Sequence, residues 1–333
     1  MKIALCTDAW TPQVNGVVTT LSRTCEQLSA FGHEVEVISP ASGFRTFPLP
    51  GYPEIRLPVA PGGRMGRLLD ACAPDAVHIA TEGPVGLAAR RWCLRRRMPF
   101  TTSYHTQFPK YLRRRAPVPE ALTYRILRRF HSRAARVLVA TRQMQQRLDA
   151  HGFERLVTWT RGVDTALFRP DPAAPLDLPR PIWVYAGRVA VEKGLPEFLA
   201  LDLPGSKLVI GDGPARAQLQ RHYPEATFIG YRFGEALAQH LAAADVFVFP
   251  SRTDTFGLVM LEAMACGLPV AAFPVTGPID VVEDGVTGAL DQDLRAACER
   301  ALTLDPAAAR RAALACSWEV SARQFERHLE PRA

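Results

Sequence analysis

Apolar positions along this 333-residue chain gather in short runs at 2–8, 34–39, 76–80, 100–105, 137–141 and 157–160. A second series follows at 182–187, 207–211, 227–230, 246–250 and 270–274. Most runs are apolar without strict alternation and are bounded by turn residues, the pattern of strands covered on both faces. Most intervals are long enough for a helix, which predicts β-α-β units with parallel sheets, repeated in two halves. The break falls in the proline-rich stretch 168–181 (FRPDPAAPLDLPRP), read as an extended linker. The expected fold is α/β, with a Rossmann-like domain over 1–170 and a second over 171–315.

One helix departs from this pattern. Residues 251–270 (SRTDTFGLVMLEAMACGLPV) run from a loop containing Asp254 into a nearly all-apolar helix that carries Glu262. An ionised carboxylate in a buried helix costs several kcal/mol unless it is paired or hydrogen-bonded, so Glu262 needs a partner. The run 245–251 (DVFVFPS) precedes it as a buried strand, and Gly267 with Pro269 stops the helix. Strand, short loop with Thr253, Thr255 and Gly257, then helix: this layout aims free N–H groups and a helix dipole beyond the strand end, where phosphate fits. A structural alternative has Asp254 or Thr255 capping the helix and Glu262 in a salt bridge. A glycosidase acid/base pair fits less well, because eight residues of helix rise about 12 Å, beyond the roughly 5 to 9.5 Å that separates such carboxyls.

Ligands of open α/β sheets bind beyond the carboxyl ends of strands, which directs attention to four further segments. After the first strand, DAWTPQVNGV (8–17) places Asn15-Gly16 ahead of a helix without G-x-G-x-x-G, arguing against NAD or FAD. Gly16 is either a plain turn residue or a place where phosphate nears the backbone. His105 ends the fourth run, where it is structural, bonds a sugar hydroxyl or handles a proton near neutral pH. Arg188 and Lys193, in WVYAGRVAVEKGLPEF, follow a strand and precede a helix, an arrangement that clamps a diphosphate. Gly211 and Gly213 in LVIGDGPARAQL make a second glycine-rich turn, which a tight turn alone also explains. Together these features point to a nucleotide-sugar site rather than a dinucleotide site.

Composition narrows the setting. Apolar residues make up 47% and charged residues 22%, ordinary for a globular protein, so disorder is not expected. The amino-terminal apolar run is too short for a signal peptide and no stretch approaches a membrane span, so a cytoplasmic location is expected. Seven cysteines without a C-x-x-C pair suit reduced, mostly buried thiols better than disulfides or zinc. The net charge of +7 divides unevenly: residues 1–170 hold 25 Lys plus Arg against 12 Asp plus Glu, and the remainder 15 against 21. The basic excess sits in RRWCLRRR (90–97), KYLRRR (110–115) and PEALTYRILRRFHSRAAR (119–136). In the last, Leu122, Ile126, Leu127, Phe130 and Ala134 are expected on one face and Arg125, Arg128, Arg129 and Arg133 elsewhere. Such surfaces attract anionic lipid or nucleic acid, or are simply solvated.

These residues resemble the retaining GT-B glycosyltransferases of glycosyltransferase family 4 over essentially the whole chain. The resemblance rests on Asp254 to Glu262 followed by AMACGLPV (263–270), where the family has E-x7-E and A-M-A-C/S-G-x-P-V. The N-G-V turn, GHEVEVIS (32–39), RGVDTALFRP (161–170), GRVAVEKG (187–194), GDGP (211–214) and EDGVTG (283–288) carry it further. It implies two Rossmann-like domains facing a central cleft and a final helix, within 316–333, crossing back onto the first domain. Glu262 would bind the ribose hydroxyls, and Arg188 and Lys193 the diphosphate, helped by the backbone of Phe256, Gly257 and Leu258 and by Gly16. Asp254 would hold donor-sugar hydroxyls, and His105 would contact the donor sugar near the reacting carbon. The resemblance implies neither metal nor cofactor, since cations and a helix dipole neutralise the leaving diphosphate. Asp254 departs from the usual Glu by one methylene, which bears on the identity of the sugar.

S-Y-H-T-x-x-P-x-Y (103–111) is similar to the matching segment of family members that glycosylate membrane lipids, such as sulfoquinovosyl diacylglycerol synthases and phosphatidylinositol mannosyltransferases. With the basic first domain, this predicts a peripheral enzyme at the inner face of the cell membrane. It would move a hexose, from a UDP-hexose in first place, to a lipid hydroxyl such as that of diacylglycerol. The alternatives are a GDP-mannose-dependent α-mannosyltransferase acting on a lipid-linked or soluble glycan, and a non-catalytic nucleic-acid or nucleotide-binding protein. The basic stretches hold no known nucleic-acid recognition motif, so no nucleic-acid partner is expected. An epimerase of the same fold lacks evident acid/base carboxylates.

Overall fold

The computed structural model describes residues 1–13, 15–49, 52–105, 119–171, 176–254 and 256–332. The KYLRRR run, most of the 103–111 segment and Thr255 lie outside the described residues. The chain divides into two units, Met1–Arg161 with Trp318–Ala333, and Gly162–Ser317. Phe168 is buried in the second unit's core, so the proline-rich stretch begins inside that unit.

In the first unit, β1 (Lys2–Cys6) and β2 (Glu34–Ile38) are followed by an antiparallel hairpin of β3 (Thr46–Leu49) and β4 (Tyr52–Pro58), then β5 (Ala76–Ile79), β6 (Phe100–Tyr104), β7 (Val137–Val139) and β8 (Leu156–Thr158). Six of these form a parallel sheet in the order β2-β1-β5-β6-β7-β8. The helices are α1 (Gly16–Ala30), α2 (Gly62–Cys72), α3 (Pro84–Arg96), α4 (Glu120–His131), α5 (Arg142–Ala150) and, at the chain's end, α13 (Trp318–His328). Met65 and Leu69 of α2, Val85 and Cys93 of α3 and Phe130 of α4 cover one sheet face. Leu21 and Leu28 of α1 and Phe325 of α13 cover the other, packing on Ile3, Leu5, Leu138 and Trp159. Burial on both faces is why the central strands read as continuous apolar runs.

At the carboxyl end of β1, Asp8 does work that no local signal announces. Its Oδ1 accepts from the Val85 N–H at 2.8 Å, and its Oδ2 from the Thr81 hydroxyl at 2.8 Å and the Gly86 N–H at 3.3 Å. It thus caps α3 from 77 positions away. Asp8→Ala leaves two buried N–H groups and a hydroxyl without this acceptor and is expected to destabilise the protein by about 2–3 kcal/mol. The shift of the urea midpoint measures this, and a loss below about 0.5 kcal/mol, the usual cost of an inert surface change, would contradict it.

Helix α4 corrects one expectation. Leu127, Phe130 and Ala134 are buried, but Leu122 and Ile126 are 39% and 59% exposed, on the outside with Arg125 and Arg129. The inward face is completed by Thr123, Tyr124 and His131, because Tyr124 and Leu127 pack with Tyr104, Val139 and Phe153.

The second unit contains β9 (Ile182–Ala186), β10 (Ser206–Ile210), β11 (Thr227–Gly230), β12 (Val246–Phe249), β13 (Val270–Ala272) and β14 (Gly288–Leu290). Its helices are α6 (Leu195–Leu199), α7 (Arg216–His222), α8 (Gly234–Ala242), α9 (Leu258–Ala265), α10 (Pro278–Val281), α11 (Leu294–Leu302) and α12 (Pro306–Leu314). The parallel sheet runs β11-β10-β9-β12-β13-β14. Counted from β9 this is 3-2-1-4-5-6, the doubly wound order whose direction reverses between the first and fourth strands. The ends of β9 and β12 therefore flank the switch point of this sheet.

Candidate active site

Two loops meet at that switch point. The first leaves β9 through Gly187 and Arg188 into a 3-10 turn, Val191–Lys193, and then α6; the second leaves β12 at Pro250 and enters α9 at Leu258. Their backbones touch: a Cβ on Gly194 would lie 2.5 Å from the Pro250 carbonyl oxygen. The Thr253 hydroxyl donates to the Glu192 carbonyl at 3.3 Å. Arg252 pairs with Glu197 at 3.0 Å and lays its guanidinium 3.4 Å from the centre of the Phe273 ring. These contacts bring Lys193 to Asp254, with Nζ 2.6 Å from Oδ1. Burial pushes the Asp254 carboxyl upward, but the adjacent Lys193 ammonium together with a hydrogen bond from Ser251 outweighs it and holds the group below the usual carboxylate range. Two residues that sequence reasoning assigned to different parts of the donor form one ion pair.

Helix α9 starts from Gly257, whose φ of +85° is the left-handed conformation that glycine tolerates, and which has no side chain of its own to cap the helix. Along α9, Met260, Leu261 and Ala263–Ala265 are buried, while Leu258, Val259 and Glu262 form a half-buried stripe. Glu262 is thus less buried than its apolar neighbours suggested, because it shares the open side of the helix with Leu258, one turn before it. On the other side of β9, a Cβ on Gly211 would lie 1.8 Å from the Gly187 carbonyl oxygen, so only glycine lets the two turns close. Val189 ties them, donating its N–H to the Asp212 carbonyl at 2.9 Å.

Beyond β11 stand two residues that sequence reasoning missed. Tyr231 and Phe233 are 38% and 58% exposed and their rings stack with centroids 5.6 Å apart. The signal was two aromatic residues immediately after a strand-ending glycine, too short a pattern to stand out.

Of the expected site residues, Arg188, Lys193, Asp254, Phe256, Gly257, Leu258 and Glu262 belong to the second unit, and Gly16 and His105 to the first. Gly16 is the first residue of α1, where the Val17 and Val18 N–H groups both donate to Asn15 Oδ1, at 3.0 and 3.1 Å. His105 is buried just beyond β6, with Nε2 2.8 Å from the Ser103 hydroxyl and Nδ1 3.3 Å from a guanidinium nitrogen of Arg161. Burial, then Arg161 and His78, push its pKa well below the ordinary imidazole value, so the ring is neutral at pH 7.

The family model described as Glycosyltransferase Family 4 matches residues 14–167, and that described as Glycosyl transferases group 1 matches residues 180–304. The chain belongs to glycosyltransferase family 4. As a member of this family, it is similar to the GDP-mannose-dependent alpha-mannosyltransferase of Mycolicibacterium smegmatis, with 33% identity over 99% of this chain and 97% of that protein. The GDP-mannose-dependent alpha-mannosyltransferase of Mycobacterium tuberculosis is 32% identical over 87% and 83%. Sulfoquinovosyl transferase SQD2 of Arabidopsis thaliana is 32% identical over 74% of this chain and 52% of that one. Among solved structures, sucrose-phosphate synthase of Thermosynechococcus elongatus superposes with a TM-score of 0.77 at 24% identity, over 98% of this chain and 97% of that one. Anabaena HepE, solved with UDP and glucose, superposes with 0.72 at 16%, over 98% of both. The fold is the GT-B fold expected from the sequence, and this family-4 glycosyltransferase builds it from two Rossmann-like units.

Proposed function

We propose that the protein transfers a hexose, with retention and without a metal, from a nucleoside-diphosphate sugar to a membrane lipid, and that the donor is GDP-mannose. The observation that carries the donor half is the switch point of the second unit. There a helix N-terminus that opens on glycine and the Lys193 ammonium lie at adjoining strand ends, which suits two phosphates. In this reading Arg188 and Lys193 hold the diphosphate with the Phe256–Leu258 backbone, Glu262 holds the ribose, Asp254 the sugar and His105 the region of the reacting carbon. The base lies against the Tyr231–Phe233 pair. Relatives at 32–33% identity that are named for GDP-mannose support mannose over the UDP-hexose expected from the sequence.

The lipid half is supported by the outer surface of α3 and α4. Leu87, Leu94, Leu122 and Ile126 are each at least 39% exposed. Arg91, Arg95, Arg125, Arg129 and Arg133 are exposed around them, and no carboxylate among the described residues pairs with these arginines. Arg90 donates to the Phe130 and Arg129 carbonyls at 2.7 and 3.0 Å, joining the two helices. Burial, then Arg129 and Arg133, lower its pKa, a crowding of like charge that an anionic surface relieves. Among the described residues no helix is long and apolar enough to cross a membrane.

The test incubates the protein with GDP-mannose, UDP-glucose or UDP-glucuronate and a lipid extract, with and without EDTA, and analyses products by mass spectrometry and NMR. Mannolipid with an α-anomeric linkage, formed only from GDP-mannose and insensitive to EDTA, is expected. Product from UDP-glucose alone favours the diacylglycerol glucosyltransferase reading, and product only on a soluble glycan removes the lipid half. Flotation with vesicles containing phosphatidylglycerol should recover the protein at low salt, with about 1 kcal/mol lost for each exposed Arg on α4 changed to Glu. Equal recovery on neutral vesicles contradicts the electrostatic part.

A further inference from the structure

Arg161 is 5% exposed, and no carboxylate among the described residues pairs with it. Its Nη1 donates to the Trp159 carbonyl at 2.7 Å, and the guanidinium carbon lies 4.3 Å from the Trp159 ring centre. Helix α13 holds the preceding residue: Gln324 Oε1 accepts from the Thr160 N–H and hydroxyl at 2.9 and 2.8 Å, and the Ser321 hydroxyl donates to the Thr160 carbonyl at 2.8 Å. Nη1 also reaches the Thr160 carbonyl at 3.4 Å, and Nη2 lies 3.3 Å from Nδ1 of His105. A guanidinium only donates, so Nδ1 must accept, and the imidazole proton must sit on Nε2. That nitrogen is 2.8 Å from the Ser103 hydroxyl oxygen, which lies 3.1 Å from Nε2 of buried His78.

We propose that Arg161 is a positioning residue for sugar transfer: it fixes His105 as the neutral Nε2–H tautomer, with one edge on Ser103, and so sets which atoms His105 presents to the donor sugar. This rests on the reading that His105 lies at that sugar. The arrangement also removes His105 as a proton acceptor in turnover. Protonation at Nδ1 would aim an N–H at a buried guanidinium, and the other groups that shift the ring, burial and His78, oppose protonation too. A buried cation spent on an imidazole is otherwise an expensive way to fill the core, since hydrophobic residues of similar volume pack there without the desolvation cost.

The test uses the full chain with 15N-labelled histidine, the His105 signal being assigned by its disappearance in His105→Ala. In the wild type, His105 should show a single Nε2–H tautomer that does not titrate between pH 8 and 5. In Arg161→Met, that signature should be replaced by a tautomer mixture or a titration inside this range. With it, kcat/KM should fall ten- to a hundredfold and acquire a pH dependence, while nucleoside-diphosphate affinity stays within twofold. Arg161→Lys, which keeps a cationic donor, should recover the tautomer and part of the rate, and serves if Arg161→Met does not fold. A titrating wild-type His105, an unchanged tautomer in Arg161→Met, or a changed tautomer at undiminished kcat/KM overturns the proposal. Wild-type kcat/KM in His105→Ala would instead remove the reading of His105 on which it rests.

Discussion

Lys193→Ala is expected to lower kcat/KM for the sugar nucleotide by about two to three orders of magnitude, the scale of losing one preorganised charge at a developing anion. Lys193 sits where two loops of the second unit are fastened together, so its ammonium arrives with little ordering left to do. That charge is engaged by Asp254 at 2.6 Å. In the proposed reading a diphosphate draws Lys193 toward itself or shares it, which leaves Asp254 to accept hydroxyls of the sugar. The two roles of Asp254 separate in Asp254→Asn. Relief of the pairing should tighten nucleoside-diphosphate binding a few-fold, measured calorimetrically with GDP and UDP. Loss of an anionic acceptor should reduce kcat/KM for the sugar nucleotide at least tenfold. Weaker diphosphate binding in Asp254→Asn would show that the pair supports the site rather than competing for it. In a double-mutant cycle, losses that simply add would mean that the two residues do not act on one another.

The residues that could be read in advance were those whose neighbours in space are also neighbours in sequence. Strand ends, the loop before α9 and the glycine-rich turn after β10 are local features, and periodicity locates them. Asp8 capping α3, Lys193 meeting Asp254 and Arg161 meeting His105 are long-range pairings that periodicity cannot carry. Helix α4 shows a different limit. Its apolar residues outnumber the inward positions, so pattern alone put Leu122 and Ile126 inside, while Thr123 is buried and His131 is buried against Thr102 and Glu82. The four-residue β3 and the three-residue β14 were too short to stand out as apolar runs, and β4 (YPEIRLP) has its apolar residues interrupted by Pro53, Glu54 and Arg56.

Acid should unfold the first unit well before most of its carboxylates are protonated. His78 is fully buried, with Nδ1 2.9 Å from the Thr101 hydroxyl and Nε2 3.1 Å from that of Ser103. Burial pulls its pKa from the ordinary 6.5 down to about 3, and His105 lies well below 6.5 for the same first cause. A histidine whose folded pKa is lowered leaves stability unchanged above the unfolded value. As pH falls below 6.5 the unfolded chain binds a proton that the folded unit refuses, and stability drops until the folded pKa is reached. His78 approaches a slope of about 1.4 kcal/mol per pH unit and removes about 2 kcal/mol between pH 6.5 and 5, and His105 acts in the same direction. Against a typical stability of roughly 5–15 kcal/mol that is a substantial loss. The ion pair of His33 with Glu326 acts lower on the scale: it lowers the Glu326 pKa, so its contribution fades only below the ordinary carboxylate value of 4.5 and does not mask the effect. Urea midpoints at pH 7.5, 6.5, 5.5 and 5.0 should be level across the first step and then fall steeply. In His78→Gln, which does not titrate, the slope below pH 6.5 should become shallower even if the variant starts less stable, the lowered His105 and His328 accounting for what remains. An unaltered slope would mean that His78 does not govern the acid transition.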